Sequence, residues 1–238
     1  MDKVVSIAME TSCWLGGVAL GVGDKLIAEI GFDAGSRHAA QLVTRLADML
    51  ACHDLKPADV GEVYVSAGPG SFTGTRVAVT VARMLAQTIE GLRLVAVPTP
   101  AAVAEGARKL DWQRLGVILD ARERLIYAAT FARRGEDIDP VAPEGVMTPA
   151  EYLDGAGSDV RLIGEGLAYH DMPPERILSA DVLDAPPHLP QAPDVWRVGR
   201  RLALAGQFTE YHRLEPVYCR KPEAVRVWER KHGREMPD

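Results

Sequence analysis

Val4-Val5-Ser6-Ile7-Ala8-Met9, then Glu10-Thr11-Ser12, then Trp14-Leu15-Gly16-Gly17-Val18-Ala19-Leu20 opens the chain and decides its fold class. Two short apolar runs flank a polar break. A third apolar segment, 25–31, follows the turn Gly21-Val22-Gly23-Asp24. Short β-rich runs joined by tight turns predict an antiparallel meander. Ser36 is placed as a helix N-cap, with the helix running to about Cys52. A short buried strand at 63–66, a glycine-rich loop at 68–74, a helix to about Ile89 and a strand at 92–97 come next. Pro98 and Pro100 close that strand. The predicted order is β-β-β-α-β-α-β.

A second unit begins near Thr99. It reads as a helix at 101–110, strands at 115–119 and 125–132 around Asp120-Ala121-Arg122-Glu123, a helix at 148–153 and a strand at 160–163. An extended proline-rich stretch at 186–193 and a helix at 192–206 follow. The tail from Leu214 shows no strong period, and the sequence shows no internal repeat. The domain reading is 1–98 for an N-terminal lobe, 99–212 for a smaller second lobe, too short to copy the first completely, and 213–238 for a tail. The 238 residues are 47% hydrophobic and 25% charged, ordinary globular usage, which argues against a disordered chain. The net charge of −6 excludes a nucleic-acid footprint over the whole surface, so any RNA contact must be local. Cys13, Cys52 and Cys219 are scattered and odd in number, which fits neither a disulfide framework nor a zinc ribbon. With no signal-peptide pattern and no apolar stretch near membrane-span length, the expected compartment is the cytoplasm.

The strongest local motif is Gly68-Pro69-Gly70-Ser71-Phe72-Thr73-Gly74-Thr75-Arg76. Glycines admit positive φ and close backbone approach, and the N–H groups at a helix start favour an anion. The loop therefore reads either as a phosphate contact or as a tight strand-to-helix turn capped by Ser71 or Thr73. It matches neither G-x-x-x-x-G-K-[ST] nor G-x-G-x-x-G, so physical chemistry alone favours the turn.

As a whole string this loop resembles the GPGSFTG[VT]R signature of the bacterial TsaB (YeaZ) family. Glu10-Thr11-Ser12 stands where that family carries Asp-Thr-Ser. Arg37-His38, Asp120-Ala121-Arg122 and Pro216-Val217-Tyr218-Cys219-Arg220 resemble further family elements, so the likeness spans nearly the full chain. The element order likewise resembles one lobe of the actin, hexokinase and Hsp70 superfamily. The resemblance implies an α/β, actin-like ATPase (ASKHA, ribonuclease H-like) fold with two lobes and mixed sheets. It implies a non-catalytic subunit that heterodimerises with a TsaD-like catalytic subunit and works with a TsaE-like ATPase. Together they transfer threonylcarbamoyl to N6 of adenosine 37 in tRNAs reading ANN codons, and this chain meets tRNA only through the complex. No intrinsic cofactor is implied, with ATP or ADP at the interface of the complex. The nucleotide contacts on this reading are Glu10, Thr11, Ser12, Gly68, Gly70, Ser71 and Gly74. Glu10 departs from the family's Asp by one methylene, which weakens the case for nucleotide chemistry there.

No catalytic or metal residue is expected. The catalytic relative carries His-x-x-x-His after the strand following its glycine-rich loop, whereas 97–104 here holds no histidine. His38, His53, His170, His188, His212 and His232 are never three or four apart, so no helix face offers an imidazole pair, and each reads as a surface or cap histidine. Glu10, Asp120 and Glu123 are the carboxylates that a shared cleft would gather around Mg²⁺; strand-end and turn roles suit them better. Between Arg213 and Arg234, seven cations face three glutamates, with Tyr218 and Trp228 interleaved. That tail reads as solvated, or as a local contact to RNA phosphates.

The two helices of the first lobe carry more. In the second, Arg76, Thr80, Arg83, Gln87 and Glu90 make one narrow polar stripe, and the remaining arc is wider than one sheet contact needs. Ala78, Ala82 and Ala86 stack at i, i+4, i+8. With Arg37, His38, Gln41 and Arg45 on the preceding helix they form the expected partner face, for the catalytic subunit or for a homodimer. The alternatives are a nucleotide-dependent transferase or metallopeptidase of the same superfamily, or a homodimeric binding module. A metal or phosphate-transfer constellation separates the first of these from a scaffold.

Overall fold

The computed structural model describes residues 4–33, 38–178, 188–219 and 223–233. The meander forms as expected: β1 (Val5–Glu10), β2 (Leu15–Val22) and β3 (Lys25–Asp33) pair antiparallel. After α1 (His38–Cys52), β4 (Val60–Gly68) runs parallel to β1. After α2 (Phe72–Thr88), β5 (Arg93–Pro98) runs parallel to β4, giving the order β3-β2-β1-β4-β5. The Ser36 cap lies outside the described residues. Both helices pack on one face of this sheet and on each other. Alternation along β1 sorts the layers: Ile7 and Met9 join Leu42, Leu46, Met49, Ala78, Val79 and Ala82, while Ala8 faces away.

The second sheet repeats the first in miniature. β6 (Arg114–Arg122), β7 (Leu125–Arg134) and β8 (Asp137–Met147) form another meander, and β9 (Val160–Ile163) runs parallel to β6, in the order β8-β7-β6-β9. Among the described residues the fifth strand has no counterpart. On β6, Leu115, Val117 and Leu119 pack toward α3 (Thr99–Gly106), and Ile118 toward α4 (Pro149–Ala156). Thr148 caps α4: its hydroxyl accepts from Glu151 N–H at 3.2 Å, and Glu151 accepts from Thr148 N–H at 2.8 Å.

Three expectations need correction. β8 lies where the sequence reading places no element, since Pro140, Pro143 and three acidic residues break its pattern; it is an edge strand, where prolines are tolerated. The tail holds a helix, α6 (Glu223–His232). And α5 (Ala192–Leu204), inside the 99–212 span, packs against the first sheet: Val195, Trp196 and Val198 cover Ala8, Ala19 and Tyr64. Trp196 Nε1 donates to Ser6 Oγ at 2.9 Å. The first lobe is thus completed by a segment nearly a hundred residues downstream. Among the described residues no helix is long and apolar enough to cross a membrane.

Charges hold α5 in place. Glu62, buried under it, accepts from Arg93 at 2.5 Å and from Tyr64, with Arg200 at 3.5 Å. Glu105 of α3 accepts from Arg108 at 2.6 Å and Arg201 at 3.2 Å. Asp194 is the unfavourable member: burial raises its carboxyl from 3.8 to about 6, against the pull of Arg197 at 2.6 Å, and nearby Glu105 adds to the rise. A raised carboxyl means the ionised form costs stability. The cost is absent below the unfolded value and complete above about pH 6. Between about pH 5 and 7.5 the group should remove roughly 1–2 kcal/mol from the native state. Asp194→Asn should therefore gain on the wild type as pH rises across that window, measured by thermal unfolding. An equal difference in Tm at both ends would contradict this.

Candidate functional site

The notable junction lies where β1 ends against the glycine-rich loop. Ser71 N–H donates to Ser12 O at 2.6 Å, and Thr11 Oγ1 donates to Gly74 O at 2.7 Å. Ser71 caps α2: its Oγ accepts from Gly74 N–H at 3.2 Å and its carbonyl from Thr75 N–H at 2.9 Å. The glycines are explained by what meets them. A Cβ on Gly70 would lie 2.5 Å from Ser12 O and 2.8 Å from Ser12 Cβ; one on Gly74 would overlap Thr11 O and sit 3.0 Å from Thr11 C. Gly68, at φ +107°, faces the Val217 carbonyl.

Glu10, Thr11, Ser12, Gly68, Gly70, Ser71 and Gly74 therefore come together as the sequence predicts, but with a different consequence. Their close approach is to one another and to the C-terminal segment. The side of each of these glycines that a Cβ would occupy is filled by the chain's own atoms, so internal packing alone requires glycine there. A Gly70→Val substitution would strike Ser12 before it met any ligand.

Glu10, Thr11 and Ser12 are buried. Burial raises the Glu10 carboxyl above the usual range, with hydrogen bonding from Ser12 opposing. Glu10 Oε2, Ser12 Oγ and Thr75 Oγ1 are buried without a partner of hydrogen-bonding geometry. Burial also pushes the Cys13 thiol far up, the Glu10 charge adds to this, and Glu165 adds a smaller push. A raised thiol carries little thiolate, and Cys13 Sγ donates to Leu15 O at 3.1 Å.

In the second lobe, Asp120 N–H donates to Glu165 Oε1 at 2.9 Å, Arg122 N–H donates to Asp120 Oδ1 at 2.9 Å, and His170 Nε2 lies 3.0 Å from Asp120 Oδ1. Arg122, Glu123 and Arg124 all have positive φ, a strained turn that Asp120 braces. His170 and His188 correct the surface reading of the histidines. The His170 side chain is 7% exposed, and His188 is fully buried, with Nδ1 accepting from Gly164 N–H at 3.1 Å. Among the described residues no three His, Cys, Asp or Glu gather in a metal-ligating group, Glu10, Asp120 and Glu123 included.

The partner face also changes. Ala78 and Ala82 are fully buried in the protein's own core and cannot be a docking surface. Ala86 is half-buried against that core. The width of the α2 apolar arc has a local cause: Leu214 enters the same core, and the turn Tyr211–Arg213 packs on α2. What stays outside is Val43 at 53% exposure and Met84 at 59%, with Arg45 beside them on α1 and Gln41 half-buried. Arg37 and the His38 side chain lie outside the described residues. Sequence reasoning missed one further feature. The Phe72 and Tyr218 rings lie 4.9 Å apart, tilted at 33° to each other, and the Arg76 guanidinium lies 4.9 Å over Phe72.

Residues 32–204 match the family described as TsaD, tRNA N6-adenosine threonylcarbamoyltransferase. The chain is 30% identical to the tRNA threonylcarbamoyladenosine biosynthesis protein TsaB of Escherichia coli, over 83% of this chain and 86% of that one. The chain belongs to the TsaB (YeaZ) family. A second TsaB, from Bacillus subtilis, is 26% identical over 93% of this chain and 96% of the relative. Two solved structures agree in fold. YeaZ from Pseudomonas aeruginosa superposes with a TM-score of 0.77 at 24% identity, over 90% of this chain and 99% of that one. A protein from the same organism, described as similar to peptidase YEAZ, gives 0.79 at 24% identity, over 91% and 100%. The TsaB family therefore supplies the fold: α/β and actin-like, with mixed sheets in two lobes.

Proposed function

We propose that this chain acts in tRNA threonylcarbamoyladenosine biosynthesis as the non-catalytic partner of a TsaD-like subunit. The supporting observation is the match to two TsaB proteins along most of their length. The pair, with a TsaE-like ATPase, transfers threonylcarbamoyl to N6 of adenosine 37 in tRNAs reading ANN codons. The outer faces of α1 and α2, around Val43 and Met84, are the docking surface. The same surface serves a homodimer when the catalytic subunit is absent. ATP or ADP belongs to the interface of the assembled complex.

The test is a modification assay on unmodified tRNA with purified catalytic subunit, ATPase, ATP and an activated threonylcarbamoyl donor whose leaving group departs on transfer, with and without this chain. Threonylcarbamoyladenosine should form only when the chain is added. Equal product without it would refute the partner role. Product from the chain alone would favour the catalytic alternative.

A further inference from the structure

Twelve large apolar side chains stand exposed among the described residues. Six of them fall on three segments that touch one another: Val43 on α1, Phe72 and Met84 on α2, and Tyr211, Val217 and Tyr218 after α5. Single exposed apolar residues need no explanation, but half of them gathered on adjoining segments mark a contact surface.

The third segment follows a defined path. Thr209 N–H donates to Leu94 O at 2.8 Å, on the edge strand β5. The turn Tyr211–Arg213 packs on α2, where Tyr211 and Ala86 line one small cavity. Leu214 is buried in the core that holds Ala78, Val79 and Ala82. Val217 N–H then donates to Ala67 O at 2.7 Å, and the Tyr218 ring lies 4.9 Å from Phe72, the first residue of α2. Residues 209–218 therefore form a strap that runs beside α2 from its last turns back to its start, a length of about 25 Å. The strap is fastened through its main chain and Leu214, while Tyr211, Val217 and Tyr218 stay exposed. Gly68 admits it: a Cβ there, at φ +107°, would lie 2.4 Å from the Val217 carbonyl oxygen.

Area decides what such a surface is for. A specific interface takes about 800 Å² from each partner. Even a whole aromatic side chain supplies only about 150–250 Å². Val43 and Met84, each partly covered, fall far short of that area. With Phe72 and the strap, the exposed apolar side chains rise from two to six along the full length of α2, a surface sized for a folded subunit. We propose that the strap 209–218 is the third component of the docking surface for the TsaD-like subunit, and that Gly68 is a positioning residue that seats it. The identity of the partner rests on the functional reading above; the membership of the strap rests on its path and exposure.

Titration calorimetry of the full chain with a purified TsaD-like subunit reads the affinity. Val217→Glu should weaken pairing about a hundredfold, since the charge is desolvated without a partner. Tyr218→Ala should weaken it about tenfold. Tyr169→Glu, 70% exposed in the second lobe, should leave it unchanged. Gly68→Ala alters no docking side chain, yet its methyl displaces the strap. The Val217 amide should then exchange with deuterium at least about tenfold faster, and affinity should fall about tenfold. Circular dichroism confirms each fold. If Gly68→Ala does not fold, Val217→Glu and Tyr218→Ala decide alone, because both side chains are exposed. Normal pairing by those two variants, when Met84→Glu has lost the partner, would overturn the role of the strap and leave the functional reading intact. Variants that pair normally but break a dimer of this chain, seen by sedimentation velocity, would assign the strap to a second copy and overturn the proposal as well. A wild-type chain that forms no complex with the TsaD-like subunit would refute the functional reading and this surface together.

Discussion

Gly74→Ala should lower the melting temperature by about 6–12 °C, a loss near 3 kcal/mol for a chain of this size. Two effects compete. Gly74 lies in the first turn of α2, where alanine improves helix propensity by up to about 1 kcal/mol. But the new methyl would overlap the Thr11 carbonyl, which is backbone and has no rotamer to yield. Overpacking of this kind costs about 1–3 kcal/mol and sometimes more. Moving β1 away also strains the Thr11–Gly74 hydrogen bond of 2.7 Å, with a net worth of about 1 kcal/mol. The clash outweighs the propensity. Thr80→Ala, on the exposed side of the same helix, keeps the propensity gain without the clash and should be neutral or stabilising. Thermal unfolding of both variants decides the matter. A Gly74→Ala protein as stable as the wild type would mean that the strand end is not clasped to the loop as described.

The comparison explains why the loop was legible as a turn and illegible as a site. Its glycines announce close approach, but a sequence does not say what approaches. The partner is Glu10-Thr11-Ser12, some sixty residues upstream. The same limit applies to Ala78 and Ala82. A helical wheel shows that an arc is covered; it cannot distinguish a subunit from the protein's own Leu214, which returns from the far end of the chain. The meander, both helices of the first lobe and the βαβ order were readable because each depends on local periodicity. The place of α5 was not, since its attachment to the first sheet is set by Trp196, Ser6, Arg200 and Glu62, all long-range partners. β8 hid behind its prolines, which edge pairing tolerates. The Phe72–Tyr218 contact left no local signal, because each ring alone is an ordinary surface aromatic.

On the pairing proposed above, Met84→Glu and Val43→Glu should each leave the isolated chain folded and weaken its complex with a TsaD-like subunit by at least a hundredfold. Both side chains are more than half exposed, on α1 and α2, which pack side by side on the first sheet. In the free chain a carboxylate at either position is solvated and costs little. In the complex it is desolvated without a partner, and a buried unpaired charge costs roughly 3–5 kcal/mol. At about 1.4 kcal/mol per decade that exceeds a factor of one hundred. An interface stable enough to purify should bury more than about 1,000 Å², too large an area to leave both positions at its rim. Ala82→Glu behaves in the opposite way. Ala82 is fully buried between α2 and the sheet, so the new charge falls in the core and the variant should not fold. The three variants together separate surface from core. Titration calorimetry with the purified catalytic subunit, after circular dichroism has confirmed the fold, gives the affinities. Folded Met84→Glu and Val43→Glu proteins that bind as tightly as the wild type would move the docking surface off α1 and α2. A folded Ala82→Glu protein that fails to bind would restore the alanine row as that surface.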